Sequence, residues 1–160
     1  MATLLRVVIY FKGGINMEYN TKIVNDKLTI LSGPIASGKF LYAKNHYDYD
    51  TCVMLGHDLD YIFKEFHQDR VINKDGTINN DVYSNNEFLN AIITGKKILI
   101  DYDDFTNKLL NILVRISELD DKINLKDFGY HRDEVYKIHP DFKMVVVIDS
   151  DILERTSIII

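Results

Sequence analysis

A single cysteine in 160 residues, Cys52, leaves no partner for an internal disulfide and no thiolate set for a zinc site, which points to a reducing, cytoplasmic setting. No apolar run approaches the roughly 20 residues that a bilayer-spanning helix needs. Positive charge is in deficit, with 19 Lys and Arg against 24 Asp and Glu and a formal net charge of -5. Phosphate-tracking nucleic-acid binders carry a basic patch, so this balance disfavours direct nucleic-acid binding and favours a protein partner with a basic or neutral surface. Only two prolines interrupt the chain, and 46% of it is hydrophobic. That is enough for one sizeable core, in a chain too short for two ordinary domains.

The first sixteen residues stand apart. Leu4 to Phe11 is apolar apart from Arg6, yet no small-residue cleavage site follows it as a signal peptide would require. Lys12-Gly13-Gly14 is what a purine-rich bacterial ribosome-binding site encodes when translated, and Ile15-Asn16 supplies a spacer before Met17. The expectation is that residues 1–16 are an upstream extension and that residues 17–160 form one α/β domain. An edge strand at Val7 to Phe11 is the alternative reading. Abundant Asn, Asp, Ile, Lys and Tyr fit an AT-rich genome, that of a low-GC bacterium or its phage.

Hydrophobic patterning predicts an order of elements. Lys27 to Ser32 reads as a buried strand entering a turn at Gly33-Pro34, and Gly38 to Tyr47 as a helix. A strand follows at Thr51 to Leu55, then a helix capped by Asp58 with Leu59, Ile62, Phe63 and Phe66 on one face. Val71-Ile72, Asp75-Gly76 and Thr77-Ile78 carry a hairpin signal. Ser84 to Glu87 reads as a capping box before a helix that Gly95 stops. Lys97 to Asp101 is the next strand, Thr106 to Leu119 an amphipathic helix, and Asp120 to His139 a polar, loop-rich stretch. Four β-branched residues, Val145 to Ile148, mark a strand over Phe142 to Asp149. Apolar strands separated by helices predict a three-layer α/β core with a mainly parallel sheet flanked by helices.

The chemistry-bearing motif is Gly33-Pro34-Ile35-Ala36-Ser37-Gly38-Lys39-Phe40. It matches the phosphate-loop pattern G-x-x-x-x-G-K-[ST] at every fixed position except the last. Glycines allow backbone N–H groups to curl around phosphate, the following helix offers its positive N-terminus, and Lys39 supplies a point charge. Gly33, Ala36, Ser37, Gly38, Lys39 and Phe40 are therefore the candidate nucleotide-binding residues, with Asp101 at the end of a later strand. Phe40 stands where a hydroxyl would ligate Mg²⁺, and an aromatic ring cannot. Tyr102 stands where a carboxylate would activate water, and a neutral tyrosine is a poor base.

These motifs in this order resemble AAA+ ATPases of the branch that contains MoxR-type proteins, midasin and dynein-like modules, over roughly Lys27 to Ser150. Gly33 to Lys39 resembles Walker A, and the Asp75-Gly76 hairpin a second-helix insertion. Ile98 to Asp101 resembles Walker B, and Ile138-His139-Pro140-Asp141-Phe142-Lys143 the approach to the sensor strand. The resemblance implies a P-loop scaffold. Set against that family, Asp149 replaces a sensor Asn, no lid helices follow, and no arginine clearly takes a finger position. Together with Phe40 and Tyr102, these departures predict a pseudo-ATPase, with ATP or ADP bound at most weakly and without strong Mg²⁺ dependence.

The five histidines lack metal-ligand spacing, and no metal site is expected. Asp58, Asp60, Asp103, Asp104, Asp120 and Asp121 are acidic candidates for a partner surface, several of them just after predicted strands. The sequence reading is thus a non-hydrolysing P-loop domain that binds a protein, in one version a phage-type inhibitor presenting carboxylates to a replication clamp or clamp loader. A nucleotide-binding ATPase or switch working in an oligomer is the alternative.

Overall fold

A computed structural model of the chain describes residues 3–10, 16–55, 71–72, 78–79, 87–103, 108–128 and 133–155. Asp58, Asp60 and Asp104, the helix expected after Asp58, the Asp75-Gly76 turn and most of the Ser84 capping box lie outside these residues.

Six strands make one sheet: β1 (Thr3–Tyr10), β2 (Asn16–Asn25), β3 (Leu28–Gly33), β4 (Thr51–Leu55), β7 (Lys97–Tyr102) and β10 (Lys143–Asp149). Their order across the sheet is β1-β2-β3-β10-β7-β4. The four strands from β3 to β4 run parallel, whereas β1 and β2 add an antiparallel hairpin at one edge. Two short antiparallel pairs lie apart, β5 (Val71–Ile72) with β6 (Ile78–Asn79) and β8 (Lys122–Asn124) with β9 (Val135–Lys137).

The parallel strands are apolar on both faces because helices cover both. On one face Leu28, Ile30, Ile98, Ile100, Met144, Val146 and Ile148 meet α2 (Glu87–Thr94), α3 (Lys108–Ser117) and Ile152 of α4 (Ser150–Arg155). On the other, Leu31, Leu99 and Val147 pack with Tyr19 and with Ala43 of α1 (Lys39–His46). Side chains alternate between faces along a strand, so each of β3, β7 and β10 serves two cores at once. The chain is therefore mixed α/β with a mainly parallel sheet flanked by helices.

Gly95, at φ 81°, ends α2 as expected of a left-handed cap. The turn after it is held from a distance, since the His139 N–H donates to the Ile92 carbonyl at 2.9 Å. Phe142 is then fully buried edge-on to Phe88, with ring centroids 6.4 Å apart. The stretch Asp120 to His139 departs from the loop-rich expectation. It holds the β8–β9 hairpin and a 3-10 turn at Leu125–Phe128, pinned by buried Ile123, Leu125 and Phe128.

Candidate functional site

Parallel strands β3, β7 and β10 all end at one edge of the sheet, where crevices form between the connections that leave them. The Gly33–Lys39 loop leaves β3 at this edge. Gly33 is buried against Tyr19, and a Cβ there would lie 2.7 Å from Tyr19 Cδ1, so that any side chain would force the ring or the loop to shift. Ala36 (φ 55°) and Gly38 (φ 75°) both take left-handed backbone, which curls the loop back toward the sheet before α1 begins. Gly38 provides no side-chain cap, so the first amides of α1 have no side-chain acceptor from it. The Tyr19 hydroxyl donates to the Ser37 carbonyl and holds the loop to β2.

Three charged side chains converge here. Asp149 ends β10 in register with Gly33, while Asp101 lies one strand further on, in register with Val147. Both share the α1 face with Leu99 and Val147, by the two-residue period of their strands. Lys39, the first residue of α1, forms an ion pair with Asp149 Oδ1 and donates to the Pro34 carbonyl at 3.2 Å. The lysine and aspartate side chains are only 11% and 21% exposed. Burial pushes the Asp101 carboxyl above the ordinary carboxylate range. Asp103 adds to the rise, Lys39 opposes it, and Asp149 contributes further. Ser37 is 4% exposed, and its Oγ has no hydrogen-bond partner among the described residues.

The remaining sequence candidates fall into place around this centre. Phe40 is half-buried against the α1-side core, with Lys44 Nζ 5.8 Å from the ring centroid. Tyr102 points the opposite way from Asp101. It is 2% exposed in the other core, and its hydroxyl accepts the Leu110 N–H at 3.2 Å.

The acidic candidates among the described residues do not form one patch. Asp103 is exposed beside Asp101. Asp120 and Asp121, also exposed, lie at the other end of the sheet, near the start of β3, where Lys27 Nζ donates to the Leu119 carbonyl and to the Asp120 carbonyl at 3.1 Å. Sequence reasoning placed Asp149 at the end of its strand but did not foresee its pairing with Lys39. It missed Tyr19 altogether, because nothing local marks a tyrosine in a polar strand as a loop anchor.

Among the described residues no group of three or more His, Cys, Asp and Glu side chains is placed to hold a metal ion, and no helix is long and apolar enough to cross a membrane. No family model, no curated protein and no solved structure matches this chain.

Proposed function

We propose that this chain is a non-hydrolysing P-loop domain, a degenerate relative of the AAA+ core, that acts by binding a protein partner. The observation that carries this reading is the opposed placement of Asp101 and Tyr102. Phosphoryl transfer needs a base or water-positioning group beside the acid that holds the metal, and catalysis by such sites is almost entirely positioning and charge stabilisation. Here the residue after Asp101 is committed to the core through its hydroxyl, and no rotamer returns a phenol from a packed interior to the loop. A strand, a curled loop and a helix with Lys39 at its start support a P-loop ancestry.

The surface around the loop suits protein contact. Ile35 and Leu41 are 63% and 65% exposed, in the loop and the first turn of α1. With an overall charge of -5, the complementary partner has a basic face. A replication sliding clamp or clamp loader, with its basic DNA channel, is the first partner to test. The purified chain is expected to release no phosphate from ATP with Mg²⁺ and to retain such a partner on a column at low salt. Retention that is lost as salt rises supports charge complementarity, whereas retention indifferent to salt overturns it. Steady ATP turnover that disappears in Lys39→Ala would overturn the non-hydrolysing reading and favour an ATPase working in an oligomer.

A further inference from the structure

We propose that Asp149 is a built-in anion for the Gly33–Lys39 loop: its carboxylate occupies Lys39 where a phosphate would otherwise sit and so keeps polyphosphates out. This rests on the P-loop reading above and adds what engages the loop's lysine.

Two independent observations support it. The ion pair is imposed by the sheet, because parallel register sets Asp149 beside Gly33, at the mouth of the loop, and Lys39 reaches it from the first turn of α1. With a second donor bond to the Pro34 carbonyl, the ammonium is turned inward and largely taken up. The loop also keeps features of an anion cradle that its own residues leave unused. Ser37 Oγ is buried with no partner among the described residues, and a buried polar group left unpaired costs on the order of 1–3 kcal/mol unless something offsets it. α1 likewise begins at Gly38 without a side-chain cap, which leaves its first amides with no side-chain acceptor from that residue.

Charge decides occupancy. Lys39 faces two carboxylates, Asp149 in direct contact and Asp101 close enough for the lysine's charge to act on it. A polyphosphate entering the loop would have to displace one carboxylate from the lysine and approach both, which is repulsive in a partly buried setting of reduced dielectric. Replacing Asp149 by Asn removes one negative charge, keeps nearly the same volume and frees the ammonium.

Isothermal titration of the full chain with sodium tripolyphosphate at low ionic strength tests the proposal. The expected result is no measurable heat for the native chain, binding by Asp149→Asn tightened on the order of tenfold or more, and loss of that binding in the Lys39→Ala, Asp149→Asn double variant. Asp149→Ser serves as a second opening variant, and circular dichroism checks that each variant is folded. Native and Asp149→Asn chains binding equally well, both dependent on Lys39, would overturn the built-in anion while leaving the P-loop reading intact. Folded Asp149→Asn and Asp149→Ser chains that both fail to bind would overturn both.

Discussion

The two ends of the parallel sheet carry similar charges and use them in opposite ways. At the end where β3, β7 and β10 finish, Lys39, Asp101 and Asp149 are drawn partly into the fold, and the Asp101 carboxyl feels the charges of the other two. At the end where the strands begin, charges serve as exposed ties. Lys97 Nζ meets Asp48 at 2.6 Å in water, and its backbone N–H is accepted by the Asp50 carboxylate at 2.8 Å. A shallow cleft of about 230 Å³ lies there, lined by Lys27, Lys97 and Lys143 among others. The Asp48 carboxyl is held below its ordinary range by the hydrogen bond from Lys97 and by that lysine's charge. A solvated pair is screened and breaking it costs little, whereas breaking a pair drawn into the fold strands a charge, and the first end is the less exposed of the two.

The largest effect should come from breaking the inner pair. Lys39→Met leaves the Asp149 carboxylate partly buried and unpaired, and urea unfolding should show a loss of about 2–3 kcal/mol, below that of a fully buried pair because both side chains retain some exposure. Next comes Gly33→Ala. The added methyl cannot share space with the Tyr19 ring, and a loss of about 1–2 kcal/mol is expected by the same measurement, relieved in part by Tyr19→Leu.

Asp101 gives a smaller effect with a defined sign. Its folded-state carboxyl binds a proton more tightly than the unfolded one, so stability falls as pH rises from the ordinary carboxylate range through the raised value. Asp101→Asn should therefore increase the urea midpoint at neutral pH and leave it unchanged below about pH 3, where both states are protonated. A decrease at neutral pH would show that Asp101 is stabilised as a carboxylate after all.

The smallest effect belongs to the outer end. Asp48→Asn should leave the midpoint within error, because the pair it breaks is solvated and screened. A loss comparable to that of Lys39→Met would break the distinction between the two ends.

How much of this was legible depended on how locally each feature is encoded. β3, β7 and β10 appear as apolar runs because strands buried on both faces have little polar side to show, and the observed limits of these strands and of β4 fall within a residue or so of the predicted ones. The antiparallel additions are less visible. Among the later residues of β2, Tyr19 and Thr21 are buried while Lys22 and Asn25 keep partial exposure and Ile23 lies open, so no run stands out. The β8–β9 hairpin is harder still, with only three residues per strand and Ile123 alone buried among the six. Asp120 and Asp121 look like neighbours of the loop acids in a list of aspartates, yet the turn after α3 carries them to the opposite end.

The amino-acid order by itself determined the alternation of apolar strands and helices, the glycine-rich turn before Lys39 and the identities of Phe40, Tyr102 and Asp149 beside it and at the strand ends. These are local patterns, set by side-chain size, charge and periodicity within a few residues. Only the tertiary structure decided that Tyr102 turns into the core and that Asp149, 110 residues beyond Lys39, neutralises it. Those outcomes depend on which strand lies beside which, and that depends on burying both faces of the sheet at once, a constraint that no short stretch of sequence contains.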